Sequence, residues 1–269
     1  MNNLDLAIEA ALHAGEEIMK VYNSEDFGIE TKGDNSPLTK ADKLSHEIIM
    51  NFLSKTEIPI LSEEGKHLSY EERKNWKKLW IVDPIDGTNN YTGGRDSFSI
   101  SLGLEYNNEI ILGAVYLPKR DELFHAIKGN GAYLNEKPIS VNNKENALES
   151  IITYSTYPGD EHKTESLNKK ILDTFPKVKY FGFSDKKNLD ETFGRGSMAA
   201  EFCYLACGRI DGLVRLKQKP WDVAGGSIIA KEAGAEMNNL QGKPCSVYEG
   251  DYVAANPKLL EKINNTING

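Results

Sequence analysis

The sequence predicts a layered α/β fold, and three observations carry that prediction. Short apolar runs end in turn residues, one long alternating segment doubles back on itself, and several stretches repeat apolar residues at helical spacing. Asn3 can cap an opening helix whose Leu4, Ile8, Ala11, Leu12, Gly15, Ile18 and Tyr22 form one face. A Gly-containing loop leads to Ser36-Pro37-Leu38-Thr39-Lys40-Ala41-Asp42. Pro37 keeps the preceding chain extended, and Ala41, Leu44, Ile48 and Phe52 then recur at helical spacing, so Asp42 lies in the first turn of a second helix. The runs Ile58–Leu61 and Leu79–Val82 read as strands. The stretch Phe98–Tyr116 alternates, turns at Asn107-Asn108 and returns as a hairpin, and a second hairpin follows near Gly129-Asn130-Gly131. Helix signals at Glu165–Leu172, Met198–Cys207 and Val223–Ala233 separate later strands, with Gly208 and Gly234 as C-terminal stops.

Bulk properties narrow the function. A chain of 269 residues buries a substantial core, as one large domain or two joined lobes. Three sparse cysteines and the lack of a hydrophobic leader make the cytoplasm the expected compartment, and no apolar stretch approaches membrane-spanning length. Cys203 and Cys207 share a helix face. No histidine or third cysteine follows at zinc-ligand spacing, so they read as small core residues. A net charge of −8 argues against a nucleic-acid polymer as partner and means that an anionic substrate needs local positive charge.

That charge has an evident source. Leu79-Trp80-Ile81-Val82-Asp83-Pro84-Ile85-Asp86-Gly87-Thr88 delivers two carboxylates onto a turn, because Pro84 offers no ladder donor and must end the strand. Gly87 permits tight backbone geometry, and Thr88 can open a helix through Asn89 and Asn90 whose first N–H groups point at an anion. Hard oxygen ligands beside an anion cradle suit Mg²⁺ and a phosphate. A D-x-x-D-G stretch alone serves equally well as a capped strand-exit turn. Further acids shift the balance. Glu63 and Glu64 arrive at another strand end, and Pro220-Trp221-Asp222 places an acid at the opening of an apolar helix. Each has an ordinary explanation taken singly, as a solvated charge or a helix cap. Brought together, Glu63, Asp83, Asp86 and Asp222 repel one another severely unless cations neutralise them, which argues for more than one metal ion.

The sequence resembles the inositol monophosphatase superfamily, the lithium-sensitive, magnesium-dependent phosphatases, over nearly its whole length. The carriers are the Glu63-Glu64 pair, Asp83-Pro84-Ile85-Asp86-Gly87-Thr88, Gly196-Ser197 before a helix, and Trp221-Asp222-Val223-Ala224-Gly225-Gly226. The resemblance implies an αβαβα sandwich of the sugar-phosphatase type in which residues 1–269 form one unit. Its two lobes, near 1–145 and 146–269, meet at the metal site. It also implies two or three Mg²⁺ held by Glu63, Asp83, Asp86, Asp222 and the Ile85 carbonyl. Asp42, Glu63 and Thr88 form the catalytic set, with Thr88 and Asp42 helping to deprotonate the attacking water. Gly87, Thr88, Gly196 and Ser197 contact substrate, and a homodimer is common in the family. Asp42 also has a simpler reading, since an acid in a first turn favours the helix dipole.

Substrate choice is mixed in the sequence. Inositol-type members usually carry an acid seven positions before the Trp-Asp aspartate, where it contacts substrate hydroxyls; this chain has Arg215, which can clamp a second phosphate bidentately. Lys217 and Lys219 follow with strand-like period, as part of that clamp or as a solvated basic face. Ser36–Asp42, Leu61–Gly65 and Tyr70–Arg73 resemble the bacterial 3′(2′),5′-bisphosphate nucleotidase branch. Asn89-Asn90-Tyr91 and Trp221–Ala224 resemble the inositol branch. The expectation leans to a small metabolite with a second anionic group, such as phosphoadenosine phosphate, with an inositol or sugar monophosphate as the alternative. A reading from another class is a non-catalytic binding protein, because some bacterial relatives use this fold in transcription complexes.

Overall fold

The computed structural model describes residues 2–24, 26–31, 33, 37–66, 68–155, 161–180 and 197–269. Helix α1 (Asn3–Ser24) leads to a small antiparallel ladder of β1 (Glu30–Thr31) and β2 (Pro37–Leu38), then α2 (Lys40–Leu53). The first sheet follows almost without interruption: β3 (Ile60–Ser62), β4 (Lys78–Asp86), β5 (Ser99–Tyr106), β6 (Glu109–Leu117), β7 (Glu122–Ile127), β8 (Ala132–Leu134) and β9 (Lys137–Ile139). These strands lie in sequence order, and only β3 and β4 pair in parallel. Two short helices, α3 (Tyr70–Arg73) and α4 (Thr88–Thr92), flank β4.

The second half supplies β10 (Ile152–Ser155), α5 (Glu161–Thr174), β11 (Val178–Tyr180), α6 (Met198–Ala206), β12 (Gly212–Arg215), α7 (Pro220–Glu232), β13 (Glu236–Asn238), β14 (Tyr252–Ala255) and α8 (Pro257–Asn268). Its strands form a second sheet in the order β11-β10-β12-β14-β13, parallel at one end and antiparallel at the other. Both predicted hairpins are present. Gly208 and Gly234 follow α6 and α7 with φ of 74° and 99°, the left-handed geometry that stops a helix. Among the described residues, no helix is long and apolar enough to cross a membrane.

Three apolar clusters define the layers. The first joins α1 and α2 to one face of the first sheet, through Ile18, Ile49, Trp80 and Ile100. The second runs from the other face of that sheet through α6 and α7 to the second sheet, through Ile81, Phe202, Ile229 and Tyr252. The third joins the second sheet to α5 and α8. Helix, sheet, helix, sheet, helix is the αβαβα order.

Two local expectations are corrected. Asn2, not Asn3, caps α1: its Oδ1 accepts the Asp5 N–H at 2.9 Å. The buried stripe of α1 is Leu6, Ala7, Ala10, Ala11, Ala14, Gly15 and Ile18, while Leu12 stays 38% exposed. Small residues set this helix's approach. A Cβ on Gly15 would lie 2.5 Å from the Tyr116 ring, so weighting large side chains rotates the stripe away from its true position. The second correction concerns Pro84, which does not end its strand. β4 continues to Asp86 through a bulge, with Asp83 opposite Ser101 and Asp86 opposite Ser99. β3 pairs only as far as Val82, so the prolyl nitrogen lies past the parallel ladder and at a bulge in the other, where no donor is needed.

The central contact for the site is α7 on the first sheet, and glycines set it. A Cβ on Gly113 would stand 2.3 Å from the Gly225 carbonyl oxygen, and one on Gly103 would stand 2.7 Å from Ala224 Cβ. The helix therefore rests on the strand backbones themselves. Its first turn, bearing Asp222, is lowered to the level of the β4 bulge.

Candidate active site

Four acids arrive from three elements. Asp83 and Asp86 bracket the β4 bulge, Glu63 follows β3, and Asp222 stands at the third position of α7 behind Pro220. Asp83, Asp86 and Asp222 each offer an oxygen, and these atoms lie within 4.8 Å of one another. The Glu63 N–H donates to the Val82 carbonyl at 3.1 Å, and its side chain lies within hydrogen-bonding reach of Asp83. The convergence expected of the acids is what the backbone produces.

Each of the three aspartates accepts from a fixed donor. Asp83 Oδ1 accepts the Ile85 N–H at 3.1 Å, across the bulge. Asp86 Oδ2 accepts the Ser197 hydroxyl at 2.9 Å and the Ala199 N–H at 2.7 Å, so the N-terminus of α6 holds it. Asp222 Oδ2 accepts the Lys219 N–H at 2.7 Å. The bulge is itself tied to α2, because the Ser45 hydroxyl donates to the Pro84 carbonyl at 2.7 Å.

Crowding and burial set the electrostatics. Burial, then repulsion from Glu63, Asp86 and Asp222, pushes Asp83 well above the usual carboxylate range. Burial and Asp222 do the same to Asp86 against the donors on α6. Asp222 is pushed up to about 7, chiefly by burial. Among the described residues, no basic side chain forms an ion pair with any of these three aspartates. A buried, oxygen-only donor set with uncompensated negative charge is the chemistry that a hard divalent cation fits.

Beside the acids stands a hydroxyl and carboxylate pair. Thr88 Oγ1 lies 3.1 Å from the Ile85 carbonyl oxygen and 3.3 Å from Asp42 Oδ1. Asp42 is buried at the third position of α2, and its Oδ2 accepts both the Thr39 hydroxyl at 2.6 Å and the Thr39 N–H at 2.7 Å. This is a capping box, so the helix-start reading and the site reading of Asp42 describe one arrangement: Oδ2 closes the helix and Oδ1 faces Thr88. Gly87, at φ 91°, turns the chain from β4 into α4.

Two expected substrate contacts sit differently. Ser197 is wholly buried as the cap of α6; its hydroxyl donates to Asp86 and lies 2.8 Å from Ser99 Oγ, which makes it a support for an acid rather than a surface contact. Arg215 is 3% exposed and bonded to Glu201, while its Nη1 donates to the Val214 carbonyl at 3.1 Å. Thr153 Oγ1 donates to the same Glu201 oxygen at 2.8 Å. The basic face is absent too. Lys217 has φ 56°, which breaks the strand after Arg215, and Lys219 caps α7. Gly196 lies outside the described residues. Sequence reasoning missed Thr39, Ser45 and Ser99. Of these only Thr39 carried a local signal, the Thr-x-x-Asp capping pattern.

A layered αβαβα fold with an acid cage beside a Thr–Asp pair defines a class, the metal-dependent phosphatases of small metabolites. The chain belongs to the inositol monophosphatase family, whose model matches residues 2–268. It is 32% identical to a Nus factor SuhB of Pasteurella multocida, over 98% of this chain and 95% of that one. It is also 32% identical to an inositol monophosphatase of Dictyostelium discoideum, over 98% and 94%. Solved structures of the Staphylococcus aureus inositol monophosphatase II superpose closely. The complex with inositol monophosphate matches with a TM-score of 0.77 at 26% identity, over 97% of this chain and 92% of that one. The 2′AMP complex matches with a TM-score of 0.79, also at 26% identity, over 97% and 91%. As a member of this family, the protein is a phosphatase.

Proposed function

We propose that the protein is a Mg²⁺-dependent phosphomonoesterase that hydrolyses a small phosphorylated metabolite by attack of water. The observation that carries this reading is the meeting of Asp83, Asp86 and Asp222 beside Glu63 and the Thr88–Asp42 pair. In it, Glu63, Asp83, Asp86, Asp222 and the Ile85 carbonyl hold two or three ions. When bound, Mg²⁺ supplies positive charge against the phosphate oxygens and the leaving alkoxide and acidifies a coordinated water. Thr88 Oγ1 orients the attacking water and passes its proton toward Asp42, whose other oxygen is fixed by Thr39. The Gly87 and Thr88 N–H groups hold the phosphate at the start of α4. The lobes near 1–145 and 146–269 both contribute to the site in this reading, because Asp222 and the donors to Asp86 come from the second. A cytoplasmic homodimer, using neither membrane nor nucleic acid, completes the proposal.

For the substrate, the Arg215–Glu201 bond changes the balance. A guanidinium whose charge is matched by a buried glutamate has no charge left over for a second phosphate. An inositol-type or sugar monophosphate is therefore the reading favoured here, and the ligand of the staphylococcal relative agrees in kind. Phosphoadenosine phosphate is the second reading, kept by the nucleotidase-like Leu61–Gly65 and Tyr70–Arg73 stretches and by the 2′AMP bound to that same relative. The intact acid set argues against a purely binding role, despite the Nus factor names among the relatives. Steady-state phosphate release from inositol 1-phosphate, phosphoadenosine phosphate and fructose 1,6-bisphosphate, with and without magnesium, decides among these. Inositol 1-phosphate should lead in kcat/KM by about tenfold or more. Leadership by phosphoadenosine phosphate reinstates the bisphosphate reading, and silence across the panel from folded protein sinks the enzymatic one.

A further inference from the structure

The support around the aspartates is uneven. Asp86 is held by two groups from α6, Asp222 by the Lys219 N–H, and Asp42 by Thr39. Among the described residues Asp83, like Asp222, receives one backbone donor, from Ile85 in its own bulge. Directly across the ladder from Asp83 stands Ser101, with no exposed surface and a hydroxyl that has no hydrogen-bond partner among the described residues. Residues opposed in an antiparallel pair project from the same face, with Cβ atoms about 5 Å apart. The serine two positions earlier on that face, Ser99, is satisfied through Ser197. Burying a hydroxyl without a partner is costly, so Ser101 needs an explanation that a filler of space does not supply.

Helix α7 keeps room for this group. A Cβ on Gly225 would stand 2.6 Å from Ser101 Oγ, and Gly225 lies one turn beyond Asp222. Glycine weakens a helix interior relative to alanine, yet here it leaves the serine hydroxyl its space between the two acid-bearing elements.

We propose that Ser101 is a positioning residue for the metal centre, and that its hydroxyl donates to the Asp83 carboxylate when a divalent cation is in place. Donors behind a ligand carboxylate fix which oxygen faces the metal, and their loss typically weakens binding by ~10–100-fold. The inference rests on the magnesium reading above. Its signature is a pair of unequal effects. With no hydrogen-bond partner among the described residues, the hydroxyl gives the metal-free fold little to lose on its removal; in the loaded protein the same removal takes away a donor.

The test is Ser101→Ala beside the wild-type protein, with melting temperature measured in EDTA and across a Mg²⁺ titration, and Mg²⁺ affinity measured by calorimetry. The expected result is a metal-free melting temperature equal to or above wild type, with Mg²⁺ affinity lower by about tenfold and a correspondingly smaller thermal gain. Unchanged Mg²⁺ affinity overturns the proposal, as does a melting temperature lowered equally with and without the ion, which marks an ordinary structural serine. A wild-type protein that Mg²⁺ neither binds nor stabilises overturns the magnesium reading itself, and so stands apart from a failure of Ser101 alone.

Discussion

Asp83→Asn should cut turnover by roughly 10³-fold, the scale on which loss of one charge-stabilising group acts in a preorganised site. The substitution keeps the shape of the side chain and can keep the bond from the Ile85 N–H, so the β4 bulge stays in place. What it removes is one charge from a cluster in which three carboxylates lie within 4.8 Å. The same change should stabilise the metal-free protein, and the sign follows from the acid's environment. Asp83 titrates well above its unfolded value, so its ionised form weakens the fold. That penalty fades as pH falls through the unfolded value near 4, is absent only well below it, where the carboxyl is protonated in both states, and grows as pH rises toward the folded value. In EDTA at pH 8, Asp83→Asn should therefore melt above wild type, while at pH 4 the difference should be much smaller. Thermal denaturation at the two pH values checks this, and near-wild-type turnover at low magnesium would contradict the assignment.

The second large effect concerns stability away from the acids. Arg215→Met should cost about 3–5 kcal/mol in denaturant unfolding, because it strands Glu201 as a buried charge beside the Thr153 hydroxyl. The double change Arg215→Met with Glu201→Leu should recover most of that loss, since a buried ion pair can be replaced by packed apolar side chains at little net cost. If the single variant is as stable as wild type, Glu201 does not depend on Arg215 and the guanidinium is available to a substrate after all. The double variant also bears on specificity: if, as proposed, the pair holds the second sheet to α6 and meets no phosphate, kcat/KM for inositol 1-phosphate and phosphoadenosine phosphate should move together.

The acids were legible because chemistry and punctuation coincide. Asp86 sits beside Gly87, where β4 gives way to α4, and Asp222 follows Pro220 in the first turn of α7, so these acids fall where local sequence marks an element's boundary. The hairpin at Asn107-Asn108 was legible for the same reason: both residues adopt positive φ, which asparagine tolerates. Pro84 misled because a bulge is a property of pairing, visible only when β5 is alongside. The pairing of Arg215 was not legible because its partner, Glu201, lies on another element, and one sequence does not pair a strand residue with a helix residue 14 positions earlier. The α1 stripe was rotated because alanines, which say little about burial on any scale of size, line its contact with the sheet and α2. The layer order came from the family resemblance. Periodicity gave the helices and strands but not which helices lie between the sheets.

The central claim is that β3, β4 and α7 bring their acids together to hold divalent cations. Crystals grown with Mn²⁺ in place of Mg²⁺, measured at the manganese absorption edge, test it most directly. The account predicts anomalous peaks bounded by Glu63, Asp83, Asp86 and Asp222, lost or much weakened in Asp83→Asn. Manganese bound only elsewhere, in a protein that hydrolyses its substrate under the same conditions, would contradict it.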